Sequence, residues 1–234
     1  MKRSIAAALA AFAFPAAAGD FTNLGALSQE EFRRVSEDLG AAFSYKGVTP
    51  ATPLGLTGFD VGIEVTSTEI ENSSLFGKAG AGSISDVFVP KLHVHKGLWG
   101  GLDIGAFIAG SSKLDATLFG GELRYALMDD GIATPAVGLR LSGSKATGTG
   151  DLKISTAGLD LVVSKRFTLL TPYGGGGIVR VQSSVSGSPL AEESFNKGRY
   201  FAGVNLNLVA ANLAVEAEKM GQNTSLSAKL GFRF

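Results

Sequence analysis

The sequence predicts a closed antiparallel up-and-down transmembrane β-barrel of about ten strands, preceded by a short amphipathic helix. Three observations carry this. From Gly58 to the last residue apolar and polar side chains alternate with a period of two; each alternating segment is close to ten residues long; and no segment after the N-terminus could span a bilayer as a helix. Soluble strands average ~5–6 residues, whereas a tilted membrane-crossing strand needs ~9–11. Strands that meet lipid must close into a barrel, because an open edge would leave backbone donors and acceptors unpaired in hydrocarbon.

Composition narrows the field first. The 234 residues include 32 glycines and no cysteine, and 21 basic residues balance 21 acidic ones. Without a basic excess there is no phosphate-neutralising surface, so no nucleic-acid partner is expected. An apolar fraction of 45% excludes a disordered chain. No cofactor is indicated by any motif: the run Gly174 to Gly177 lacks the Gly-Lys-Ser/Thr and the helix of a phosphate loop.

The chain begins with the form of an export signal. Lys2 and Arg3 precede the apolar run Ser4 to Phe14, and Ala16-Ala17-Ala18 supplies a small-residue cleavage site. A signal peptide is therefore expected over residues 1–18, leaving 19 basic against 21 acidic residues after cleavage. Residues 19–57 form an N-terminal helix and linker. Ser28 and Glu31 have capping-box spacing, and Phe32, Val35, Leu39 and Phe43 recur at helical spacing opposite Arg33, Arg34, Glu37 and Asp38. The helix is predicted from about Gln29 to Gly40, extending toward Tyr45, before Pro50 and Pro53. Whether it plugs the lumen or sits in the periplasm is left open by the sequence.

Residues 58–234 form the barrel. The outward apolar sets run Phe59 to Val65, Phe88 to Val94, Leu102 to Ile108, Thr117 to Leu127, Val137 to Leu141, Leu159 to Val163, Val179 and Val181, Tyr200 to Leu208, Leu213 to Ala217 and Leu226 to Phe234. Connections near Lys96-Gly97-Leu98, Met128 to Gly131, Lys165 to Thr171 and Ala210-Ala211 are short. Those at Thr68 to Ser85, Gly143 to Gly150 and Ser183 to Lys197 are longer, although Ser111 to Leu114 and Gly221 to Thr224 are short too. Short turns on the periplasmic side and longer loops outside are the habit of outer-membrane barrels. Trp99 and the outward Tyr and Phe residues fit an interfacial girdle.

The chain ends on Phe234, with Leu226, Ala228, Leu230 and Phe232 at alternating positions before it. In this it resembles Gram-negative outer-membrane β-barrel proteins as a general class. The resemblance implies that these five residues act as an assembly signal read by the barrel-assembly machinery during insertion. It also implies residence in the cell outer membrane, with lipid and lipopolysaccharide as surroundings.

With apolar faces outward, the inward set is a charge network: Asp60, Glu64, Lys91, His93, His95, Asp103, Glu122, Arg124, Arg140, Asp160, Arg180, Glu216, Glu218, Lys229 and Arg233. Neighbouring strands pair Glu64 with Lys91, Asp103 with Arg124 and Glu122 with Arg140, and closure would set Glu64 by Lys229 and Asp60 by Arg233. His93 and His95 share a face, but with no third ligand at metal-binding spacing they read as polar lumen lining, and no catalytic or metal site is expected. The glycines at positions 100, 101, 105, 120, 121 and 174–177 are expected within tightly curved strands. The leading functional expectation is a narrow porin-like channel for passive passage of small polar solutes, without enzyme activity. The alternatives are a non-conducting structural or interaction barrel presenting Glu69 to Ser85 and Ser183 to Lys197, and, third, an outer-membrane rim enzyme.

Overall fold

The computed structural model describes residues 21–111, 114, 116–208 and 211–234. The leader expected over residues 1–18 lies outside them.

Ten strands follow one another around a closed ring: β1 (Phe59–Glu69), β2 (Asp86–Gly97), β3 (Leu102–Gly110), β4 (Thr117–Met128), β5 (Ala136–Thr147), β6 (Leu152–Ser164), β7 (Leu170–Val185), β8 (Glu193–Leu208), β9 (Ala211–Met220) and β10 (Asn223–Arg233). Every neighbouring pair is antiparallel, and β10 closes on β1 in a register running from Asp60↔Arg233 to Thr68↔Ser225. The chain end completes this seam: Phe59 and Phe234 exchange backbone hydrogen bonds of 2.6 and 3.0 Å. The outer surface exposes Ile63, Leu92, Ile104, Leu123, Leu141, Leu161, Val215 and Leu230 among many large apolar side chains. A soluble monomer rarely exposes so continuous an apolar surface, and on a barrel with no open edge it is the face lipid covers. No described helix is long and apolar enough to cross a membrane.

The two ends of the barrel differ. One end, here the turn end, carries the connections 98–101, 129–135 and 165–169 and the start of β1; the other, the loop end, carries the β1–β2 connection with a short helix α2 (Ser73–Lys78). Three expectations about connections are corrected. The longer loop predicted over Gly143 to Gly150 is only the turn 148–151, because β5 runs on to Thr147. Gly100 and Gly101 lie in the β2–β3 turn at φ +68° and +76°, not within a strand. The loop predicted over Ser183 to Lys197 shrinks to 186–192 because β7 runs on to Val185 and β8 begins at Glu193, where they pack on the lumenal helix through Val179, Val181 and Phe195.

That helix, α1 (Gln29–Phe43), lies inside the barrel. Ser28 Oγ accepts from the Glu31 amide at 3.3 Å while Glu31 accepts from the Ser28 amide at 2.7 Å, so the capping box forms. Lys78 on α2 also binds the Glu31 carboxylate, at 2.6 and 2.8 Å, and with the Ser28 amide holds that carboxyl below its ordinary range. The stripe Phe32, Val35, Leu39 and Phe43 is fully buried against inward residues of the loop-end half, including Val89, Leu118, Ile154, Val179 and Val181. Ser36, Gly40, Ala41 and Ala42 make the helix thin enough for the lumen, and they too are buried.

Candidate functional site in the lumen

The lumen divides by chemistry along its axis. Its loop-end half is an apolar core around α1. Its turn-end half is ionic, and residues 44–54 descend through it to the start of β1. This descending segment is gripped by the wall at nearly every step. Lys46 Nζ lies 3.1 Å from Glu218 and donates to the Ala41 carbonyl at 2.7 Å. Arg199 donates to the Tyr45 carbonyl at 2.6 Å, Arg124 to Thr49 Oγ1 at 2.7 Å and Arg140 to the Thr49 carbonyl at 3.3 Å. Ser164 accepts from the Ala51 amide at 3.1 Å, and Asp103 accepts from the Leu54 amide at 3.2 Å through both oxygens. Val48, between these anchors, has φ +42°, a conformation a β-branched residue adopts only when its surroundings impose it, at a cost of order 1–3 kcal/mol.

Around this segment the wall charges pair. Lys91 meets Glu64 at 2.6 Å, and Arg124 meets Asp103 at 2.7 Å. Glu122 lies within 3.0–3.2 Å of His95, Arg124 and Arg140. Asp60 binds Lys229 at 3.0 Å and Arg233 at 2.5 Å. Acids and bases are interleaved among these pairs rather than ringed by sign. Glu216 and Glu218 are buried on β9, and Asp160 on β6.

Two sequence expectations change here. Lys229 stands opposite Glu64 in the closing register, but Asp60 takes its ammonium while Lys91 takes Glu64. Arg180 does not face the lumen. It is exposed and donates to Ser194 at 2.9 Å, while Val179 and Val181 turn inward. The rule that apolar side chains point outward fails in the loop-end half, because there the interior is apolar as well.

The sequence reading missed Arg199, Lys46 and Tyr45. Arg199 holds Asp160 through two nitrogens, one at 2.7 Å, and reaches Glu218 at 3.7 Å, all three side chains being at most 2% exposed. Its parity in β8 matches Asn205 and Asn207, so strict counting along the strand would have found it. Tyr45 Oη lies 3.0 Å from His95 Nε2, and nothing periodic in residues 44–57 marks it. Near it, one ligand atom each from Asp60, His93 and His95 lies within 4.8 Å of the others. His95 reaches that position over Gly105, where a Cβ would come within 2.2 Å of the ring.

No family model matches the chain, and no curated protein matches it. Several solved structures do. The N-terminal β-barrel domain of Pseudomonas aeruginosa OprF is 14% identical with a TM-score of 0.39, over 77% of this chain and 99% of that one. The Escherichia coli outer membrane protease OmpT is 10% identical with a TM-score of 0.40, over 76% and 95%. The translocator domain of the autotransporter NalP from Neisseria meningitidis is 11% identical with a TM-score of 0.44, over 89% and 96%. These neighbours are Gram-negative outer-membrane β-barrels.

Proposed function

We propose that the chain is a sealed barrel of the outer membrane, structural or interacting in role, whose loop end is its working surface. The carrying observation is that residues 29–54 occupy the lumen from one end to the other, docked by an apolar core in one half and by buried ion pairs in the other. A passive channel needs a continuous aqueous path, and this segment lies in it. Of the readings open to the sequence, the filled interior favours the non-conducting barrel over the porin-like channel.

The longest connection, residues 70–85, lies at the loop end, and this supports a reading in which the turn end is periplasmic. On that orientation α1 begins at the cell surface. Phe21 packs against Phe76 of α2 with ring centroids 5.7 Å apart and the rings tilted, so on this reading the chain enters the lumen from outside and leaves it toward the periplasm. The surface offered to partners then combines residues 21–28, α2 and the β7–β8 connection, with lipid and lipopolysaccharide around the belt. The final strand, with Leu226, Ala228, Leu230, Phe232 and Phe234 facing lipid, is the segment the assembly machinery would read.

Planar-bilayer recording of the refolded chain tests the seal. No unitary current is expected from the full chain, whereas a chain lacking residues 21–54 should conduct. Discrete ion steps from the full chain would restore the channel reading. Orientation has a separate test: an epitope inserted immediately before Phe21 should be reached by antibody on intact cells, and labelling only after permeabilisation would reverse the assignment.

A further inference from the structure

We propose that Asp60, His93 and His95 form a binding site for a borderline transition-metal ion, Zn2+ in the first instance, inside the turn-end half of the lumen. The Nδ1 atoms of His93 and His95 lie 3.3 Å apart, and the two side chains are buried. A tetrahedral site with metal–nitrogen bonds of ~2.0–2.1 Å separates its nitrogens by ~3.3–3.4 Å, so the pair already stands at the edge length of such a site. As an N–H···N hydrogen bond the same distance is long, since such bonds cluster near ~3.0 Å. Asp60 adds an oxygen within 4.8 Å of both rings.

The groups behind His95 and Asp60 match what ligands require. A metal-bound imidazole presents its second nitrogen to a carboxylate or another acceptor, which fixes ring and tautomer. His95 does so: its Nε2 lies 3.0 Å from Glu122 Oε1 and 3.0 Å from Tyr45 Oη. Asp60 is similarly divided. Its Oδ2 is taken by Lys229 and Arg233, while its buried Oδ1 has no hydrogen-bond partner among the described residues. His93 differs: with Nδ1 as its ligand atom, its buried Nε2 has no acceptor among the described residues. His93 Nε2 sits beside Gly62 and Asp60 Oδ1 beside Gly231, paired glycines on β1 and β10 where a Cβ would come within 3.1 Å of either atom. A cavity of about 250 Å³ lies at the turn end, lined among others by Arg233, which binds Asp60.

The ligand set, two imidazoles and one carboxylate already shared with two cations, decides the class of metal. Lys229 and Arg233 draw charge from Asp60, which makes a poor site for Mg2+ or Ca2+, ions that need several hard oxygen ligands. What remains is binding led by two imidazoles, which suits Zn2+, Co2+ or Ni2+.

The test uses the refolded full chain without an affinity tag, stripped by chelator and exposed to Zn2+. Stoichiometric zinc should remain after gel filtration, measured by elemental analysis, and excess Mg2+ should not displace it. Co2+ should give the intense visible bands of tetrahedral coordination. His93→Asn and His95→Asn should each abolish retention, and Glu122→Gln should weaken it about 10–100-fold through the second ligand sphere. Heat-modifiable electrophoretic mobility identifies the folded barrel for each protein, and if one histidine variant does not fold the other decides. No zinc on folded wild-type chain, zinc that Mg2+ displaces, or zinc kept by a folded histidine variant would overturn the site.

Discussion

Arg199→Met is expected to destabilise the barrel more than any other single substitution in the ionic half, by ~3–5 kcal/mol. The side chain is only 1% exposed, and its guanidinium joins three parts of the molecule: Asp160 on β6, Glu218 on β9 and the Tyr45 carbonyl of the descending segment. Methionine fills comparable volume, so the loss is electrostatic rather than a cavity. Glu218 keeps Lys46 at 3.1 Å. Asp160 loses the pairing with Arg199 and remains at 0% exposure, and an unpaired buried charge is what makes such a change costly. The measurement is the urea midpoint of refolded chains followed by far-ultraviolet circular dichroism. Pairing the change with Asp160→Asn removes the stranded charge, so the double variant should recover part of the loss. A coupling energy near zero in that cycle would show that the two residues do not act as a unit.

Arg199 also shows why some of the interior was readable and some was not. Alternation works as a signal only where the two faces of a strand differ. In the turn-end half the outside is lipid and the inside is ionic, so Asp60, Glu64, Lys91, Glu122 and Arg140 announce themselves between apolar neighbours. In the loop-end half the inside is apolar too, because α1 must be packed there. Val179 and Val181 then look like lipid-facing residues although they are inward, and the exposed Arg180 between them looks inward. The capping box and the Phe32–Val35–Leu39 stripe predicted α1 and its apolar face. They could not say what that face met, since its partners, from Val89 to Val181, lie on strands distant in sequence. The segment 44–57 has no period at all. Lys46 and Tyr45 are placed by ion pairs and hydrogen bonds with distant strands, which no local pattern records.

The apolar half supports a second large effect. Phe32→Ala together with Leu39→Ala is expected to undock α1 while leaving the barrel closed. Both side chains are 0% exposed and sit in the core formed with the inward faces of the strands. Truncating a buried phenylalanine costs ~3–5 kcal/mol and a buried leucine ~2–5 kcal/mol. The two lie seven residues apart, about 10 Å along the helix, which is far enough for the costs to add to roughly 5–10 kcal/mol. Rim contacts such as Arg33–Glu193 at 3.2 Å and Lys197–Glu37 at 2.8 Å are partly exposed and offset little of that. The strand ladders are untouched, because α1 contributes side-chain packing and no ladder hydrogen bond, so folded electrophoretic mobility should persist. At ~1.4 kcal/mol per tenfold, local opening of the helix should rise at least a thousandfold. Trypsin added from the loop end reads this directly at Arg33 and Arg34, which are solvent-reachable but held in helical backbone. Wild-type chain should resist cleavage there, and the double variant should be cut on the same folded barrel. Equal resistance of both would mean that the ion pairs around residues 44–54 alone hold the plug, and that the apolar core is packing without a docking role.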